Sequence, residues 1–214
     1  MFKFLLESYY NFKINKVYNR SFKLNGKSPE GVFWNSQYNQ TKRFEELYDL
    51  LFLIASEKFL SIADIGCGYG AMYEFIKKKI FFKRIKYIGI DINKSFILEC
   101  KKSYGSEVDF FVGSAPNFLV DYCVMSGTYN LTKTKSISIW EKYVYHNLEK
   151  CLKKSKRGII FNIQNSKYTK INNNIYYADV KKLKSFFENK RLKVNYYHSE
   201  NFSNDVIFYI IKRN

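Results

Sequence analysis

The chain has 214 residues, with 36 Lys plus Arg against 19 Asp plus Glu, a formal charge of +17, and 46% apolar and 19% aromatic residues. That length and composition suit one domain with an ample core and exclude a disordered or low-complexity chain. No apolar run approaches the roughly 20 residues a spanning helix needs. The longest, residues 50–55, is bounded by Asp49 and Glu57, and the start of the chain breaks off too soon for a signal-peptide core. A cytoplasmic protein without a membrane span is therefore expected.

Cys67, Cys100, Cys123 and Cys151 are spaced far apart with no Cys-x-x-Cys pair. This fits reduced, buried thiols rather than a disulfide framework or a metal centre, and no metal is expected. The positive charge has two readings. A pI near 9.6 is the footprint of a polyanion partner. Yet Lys outnumbers Arg 30 to 6 in a chain also rich in Asn, Ile, Phe and Tyr, as an A/T-rich coding bias would produce. Defined phosphate grips favour the planar fork of Arg.

In chain order, residues 1–58 read as a helical, aromatic-rich extension, sized to form a lid on a core spanning 59–214. Phe59 to Ile65 is a buried-strand pattern ending in glycines, Ala71 to Lys79 a helix, and Ile85 to Ile92 a second strand. Asn93 can cap the helix that follows, to about Ser103. Val108 to Val112 and Val120 to Met125 read as strands, Ser136 to Lys153 as the longest helix, and Gly158 to Ile163 as a fifth strand. Lys170 to Asn174 reads as a mobile loop, Asp179 to Asn189 as a helix, and Leu192 to Tyr197 and Val206 to Ile211 as a closing antiparallel pair. The alternation predicts an α/β fold: a doubly wound, mostly parallel, seven-stranded Rossmann-like sheet with an antiparallel last strand.

The chemistry concentrates in Asp64-Ile65-Gly66-Cys67-Gly68-Tyr69-Gly70, which follows the first strand and opens the first core helix. Its glycines permit a tight turn and let a ligand approach the backbone amides. The second strand ends at Asp91-Ile92, where a carboxylate can hydrogen-bond both hydroxyls of a ribose. A nucleoside ligand follows from this order. Asp64 would repel a pyrophosphate but suits the ammonium of an amino acid.

The Asp-x-Gly-x-Gly-x-Gly form resembles motif I of the class I S-adenosylmethionine (SAM) methyltransferases, over about residues 59–214. The resemblance implies SAM as cofactor, S-adenosylhomocysteine as product, and Asp91 as the ribose acid. It also implies Gly113-Ser114-Ala115 as the adenine loop, although relatives often carry an Asp where this chain has Ser114. A narrower resemblance, to small bacterial methyltransferases linked to surface-polysaccharide modification, rests on Gly31-Val32-Phe33-Trp34-Asn35-Ser36 with Gln40, Arg43 and Phe44. Ser126-Gly127-Thr128-Tyr129-Asn130, Phe161-Asn162 and Tyr176-Tyr177-Ala178-Asp179 extend it.

Ser126 and Gly127 sit at a strand end, where open α/β sheets bind ligands, and join the expected cofactor set. Tyr129 and Asn130 are the catalytic candidates. Trp34, Asn35, Asn162, Tyr176 and Tyr177 are the acceptor-binding candidates. Arg43 either meets the cofactor carboxylate or bridges Glu46 or Asp49, and Trp34 and Phe44 either pack or touch ligand. His146 and His198 read as structural. Since the strand-end candidates are neutral, the acceptor is either already nucleophilic, with an anionic small molecule agreeing with the basic charge, or served by a base from residues 1–58 or 166–179. RNA is the alternative acceptor, although no Asn-Pro-Pro-Tyr-type motif is present.

Overall fold

Two helices build the extension in the computed structural model, which describes residues 2–56 and 58–212. Residues 1, 57, 213 and 214 of the two expected segments lie outside the description. α1 (Phe2–Asn25) stops at Gly26, whose positive φ of 64° and amide bond back to the Phe22 carbonyl make a left-handed terminus. A 3-10 turn at Glu30–Val32 follows. Ser36 then caps α2 (Gln37–Ile54), its hydroxyl accepting the Asn39 amide at 3.1 Å.

The core alternates as expected: β1 (Leu60–Ile65), α3 (Ala71–Lys77), β2 (Ile85–Asp91), α4 (Lys94–Tyr104), β3 (Asp109–Val112), β4 (Val120–Met125), α5 (Ile137–Lys154) and β5 (Ser155–Gln164). A small hairpin of β6 (Lys170–Asn172) and β7 (Ile175–Tyr177) precedes α6 (Val180–Glu188), β8 (Lys193–His198) and β9 (Asp205–Ile211). The seven-stranded sheet has the order β3-β2-β1-β4-β5-β9-β8. β1 to β5 run parallel, and β9 lies antiparallel between β5 and β8. This is the Rossmann-like mixed sheet read from the sequence.

Alternate strand residues feed two apolar layers. Ile62, Tyr122 and Ile160 face α2, α3 and α4 through Leu47, Tyr73 and Ile97, whereas Ala63, Cys123 and Phe161 face α1, α5 and α6 through Tyr10, Leu148 and Phe187. The extension is therefore split. α2 closes one layer of the core and α1 lies on the other. All four cysteines are free and buried.

Two expectations are corrected. Lys170 to Asn174 is not a loose loop. Asn173 and Asn174 take φ values of 49° and 61°, the left-handed pair of a tight hairpin turn, and Lys170 pairs with Tyr177. The fifth strand begins at Ser155 rather than Gly158, because α5 passes directly into it and Ser155 pairs with Val120.

Candidate cofactor site

β1 and β2 deliver Asp64, the penultimate residue of the first, and Asp91, the last of the second, to the same end of the sheet, where a cavity opens between the glycine turn and the extension. The turn is held by the Gly66 and Cys67 amides, both donating to the Ile90 carbonyl. Gly66 and Gly68 have φ values of 79° and 55°, in the left-handed region that favours glycine. A Cβ on Gly66 would also meet the Thr128 side chain at 2.8 Å, so glycine is required there twice over.

The two carboxylates differ in their partners. Asp91 accepts the Asn93 amide at 2.7 Å on Oδ1 and the Gly68 amide at 2.9 Å on Oδ2. Asp64 accepts the Tyr87 hydroxyl at 2.6 Å. Burial dominates both. It pushes Asp64 up to about 7, partly offset by the Tyr87 bond and reinforced by the Asp91 charge. It pushes Asp91 up to about 6 against its two amide donors. Two carboxylates held this unfavourably suit a ligand that brings positive charge and hydroxyl donors.

Three buried polar atoms on the same wall have no partner: Asn15 Oδ1 from α1, Asn93 Nδ2 after β2, and the Ser126 hydroxyl after β4. Ile14, Tyr18, Val32, Trp34, Gln40 and Phe44 cover the cavity from the extension, with Phe96 closing it from α4. Gln40 is fixed by accepting the Tyr69 hydroxyl at 3.0 Å. A smaller hollow adjoins through Gly66, Ile92 and Thr128, and is lined by Gly113, Ser114, Tyr129, Tyr143 and Asn147. The donor set, unpartnered atoms and glycine cradle fit a nucleoside that carries an amino acid with a free ammonium, such as SAM.

The structure brings together Asp64, Gly66, Cys67, Gly68, Asp91, Ile92, Ser126, Gly127 and Trp34 around the main cavity, and Gly113 and Ser114 around the second. Gly70 and Ala115 line neither. Gly70 instead ends the turn at φ 86°, where a Cβ would strike the Tyr104 ring at 2.7 Å. Ser114 is bound into a cluster at the roof: its hydroxyl contacts Glu7 of α1 at 2.5 Å and Lys150 at 2.7 Å.

Other candidates turn out to be braces. Arg43 bridges neither Glu46 nor Asp49, nor does it line the cavity. Its Nε meets Asp205 of β9 at 2.5 Å, and its guanidinium is sandwiched over Trp34 at 4.8 Å and Phe202 at 3.6 Å. Asp205 also accepts from Asn162 Nδ2 and Gln164 Nε2, while Asn162 Oδ1 accepts the Gly127 amide at 2.7 Å. Asn162 thus holds the strand-end loop from behind. Asn130 does likewise, its Oδ1 accepting the Gln164 amide and its carbonyl the Tyr176 amide.

Tyr129 and Tyr176 are core side chains, 4% and 1% exposed, so neither ring reaches an acceptor at the main cavity. Burial raises both phenols, which keeps them protonated and leaves no phenolate to act as a base. Tyr177 is half-buried in the hairpin, and Asn35 is exposed beside Trp34 without lining the cavity. The contributions of Ile14, Asn15 and Tyr18 escaped the sequence reading, because an amphipathic helix face does not tell which cleft it covers.

No family model matches the chain. Rv1506c of Mycobacterium tuberculosis, a protein whose methyltransferase name is itself provisional, is 28% identical over 123 residues, 56% of this chain and 73% of that protein. Among solved structures, a SAM-dependent methyltransferase from Leishmania major superposes with a TM-score of 0.65 at 14% identity, covering 92% of this chain and 82% of that one. One from Clostridium acetobutylicum gives 0.57 at 11%, covering 94% and 98%. The plantazolicin methyltransferase BpumL, in complex with a desmethyl plantazolicin analogue and S-adenosylhomocysteine, gives 0.57 at 13%, covering 84% and 87%. The chain therefore carries the class I SAM-dependent methyltransferase fold, an enzyme class in which SAM is the methyl donor.

Proposed function

We propose that the protein is a SAM-dependent methyltransferase acting on a small-molecule acceptor: a sugar, nucleotide-linked or phosphate-containing precursor of capsule or other surface polysaccharide in the cytoplasm. The observation that carries the enzyme class is the convergence of Asp64, Asp91 and Ser126–Thr128 on one cavity covered by α1 and Trp34. In this reading Asp64 takes the ammonium, Asp91 the ribose hydroxyls, and Gly113 and Ser114 border the base. Ile14, Tyr18 and Trp34 exclude water, and residues 1–58 serve as the cover of the site. When bound, SAM supplies an electrophilic methyl group on a sulfonium.

The chain's own task is then orientation and desolvation. Among the described residues the cavity wall carries no His, Lys or Arg, and its carboxylates are the two assigned to the cofactor. That favours an acceptor already nucleophilic, such as an amine or an anionic oxygen. A small acceptor suits a site roofed by a helix. The polysaccharide assignment rests on the resemblance at 31–44, 126–130, 161–162 and 176–179.

Labelled-methyl SAM with an extract of the native host, separated into metabolites and macromolecules, tests this. Label in the metabolite fraction is expected. Nuclease-sensitive label in the large fraction would overturn the small-molecule acceptor in favour of RNA. Absence of SAM binding by calorimetry would overturn the enzyme class.

A further inference from the structure

The end of the sheet opposite the cofactor cavity, where β1 and β2 begin, has an unusual surface. From the last residue of α3 into the start of β2 runs Lys77-Lys78-Lys79-Ile80-Phe81-Phe82-Lys83-Arg84-Ile85-Lys86, six cations in ten residues with no acid. Ile80 is 94% exposed and Phe81 45% exposed. Two further apolar side chains join them: Leu53 near the end of α2, 82% exposed, and Phe59 before β1, 65% exposed.

These segments are neighbours in space. Leu60 pairs with Ile85 and Ser61 with Lys86. The Arg84 Nε donates to the Lys58 carbonyl at 2.9 Å, and the Phe81 ring lies 5.2 Å from that of Phe52. Lys78, Lys83 and Lys86 have no carboxylate partner among the described residues. Among the described residues, Glu107 is paired with Lys77 at 2.7 Å and Asp121 with Lys156 at 3.2 Å, and Glu57 lies outside the description.

We propose that this end of the sheet is a peripheral docking surface for an anionic lipid bilayer, with Ile80, Phe81, Leu53 and Phe59 entering the headgroup region and the lysines facing the lipid phosphates. Charge complementarity and side-chain shape favour this occupant. Bare aliphatic and aromatic tips ringed by flexible lysine stems are the arrangement that partitions into a bilayer interface. A second copy would set like charges face to face, and protein interfaces are depleted in Lys at their cores. Single-stranded RNA is gripped by stacking platforms and Arg. Here the two most exposed side chains, Ile80 and Leu53, have no π-face to offer. β1 and β2 separate this surface from the cofactor cavity by about 20 Å, so docking leaves the cavity accessible.

Flotation of the full chain with phosphatidylcholine vesicles, with and without phosphatidylglycerol, tests the proposal in physiological salt. Binding to the anionic vesicles alone is expected. Lys78→Gln/Lys83→Gln/Lys86→Gln should weaken it about hundredfold, each cation near the surface being worth roughly fivefold. Ile80→Ser should weaken it about tenfold through lost apolar transfer. Circular dichroism melting of both variants should match the parent, since the changed side chains lie at the surface. No binding to anionic vesicles, equal binding to both vesicle types, or full binding by Ile80→Ser would overturn the proposal. Displacement of the protein from anionic vesicles by polyuridylate at lower concentration than by added lipid would reassign the surface to nucleic acid.

Discussion

The two sides of the strand-end region are built differently. On the β1–β2 side the polar groups come from short stretches of chain: the Asp91 carboxylate binds amides at Gly68 and Asn93, and the glycine turn closes on Ile90. On the β4–β5 side the loop at 126–130 is braced by a buried network that reaches across the molecule, with Arg43 and Asp205 separated by 162 positions. The first side is a cradle whose parts line the cavity. The second is a scaffold whose charged residues act on one another. A polar residue near a strand end can therefore serve the ligand or the loop, and only its partners tell which.

The contrast can be broken most sharply at Arg43. Arg43→Ala leaves the Asp205 carboxylate buried beside two amides, and removal of one partner from a buried pair costs about 3–5 kcal/mol. A large fall in Tm is expected, with SAM affinity in the folded fraction changed less than about threefold, because no cofactor bond is lost. A loss of affinity beyond about thirtyfold without destabilisation, read by calorimetry and melting together, would return Arg43 to the cofactor.

Asp91→Ala sharpens the other side. Loss of two charge-assisted bonds to ribose hydroxyls should weaken SAM binding by a hundredfold or more in calorimetry. Unchanged affinity would displace the ribose from β2.

The pH dependence has opposite signs for the ligand and the fold. Asp64 and Asp91 are held near 7 and 6, above the ordinary value of 3.8. Between about pH 4 and pH 7 the folded protein thus binds more protons than the unfolded chain. The contribution of these groups to apo stability falls as pH rises through that window. SAM affinity should rise about tenfold over the upper part of it, as Asp64 ionises to meet the ammonium. Asp64→Asn should flatten both slopes, checked by melting curves and by titration of binding against pH.

The smallest effect is expected at the roof, where Glu7 ties α1 to Lys150 at 2.5 Å and His146 at 3.3 Å. Burial opposes ionisation of Glu7, but its hydrogen bonds and the neighbouring cations win and hold it below the usual carboxylate range. Glu7→Gln should speed cofactor release by severalfold in stopped-flow displacement while leaving kcat nearly unchanged. An unchanged release rate would show that α1 does not gate the cavity.

Much of the cofactor side was legible in the order of residues. The spacing from Asp64 through Gly70 to Asp91 needs only one strand, one turn and the next strand, and local chain geometry determines that unit. The strand-helix alternation likewise led to the mixed seven-stranded sheet, because buried parallel strands require apolar runs that periodicity reveals. Even the hairpin at 170–177 left a trace in Asn173-Asn174, a left-handed turn pair that reads as a mobile loop when composition alone is weighed.

What the tertiary structure decided was partnership. Arg43, Asn130 and Asn162 look like ligand-facing polar residues until their partners are seen to be Asp205 and the backbone of neighbouring loops. Tyr129 and Tyr176 look reactive until the packing buries them. Ile14, Asn15 and Tyr18 carry no motif, yet they cover the cavity because α1 lies across it. The physical reason is range. A turn or a strand is dictated by neighbours a few residues away, whereas the role of a polar side chain depends on which distant group folding sets within 3 Å of it.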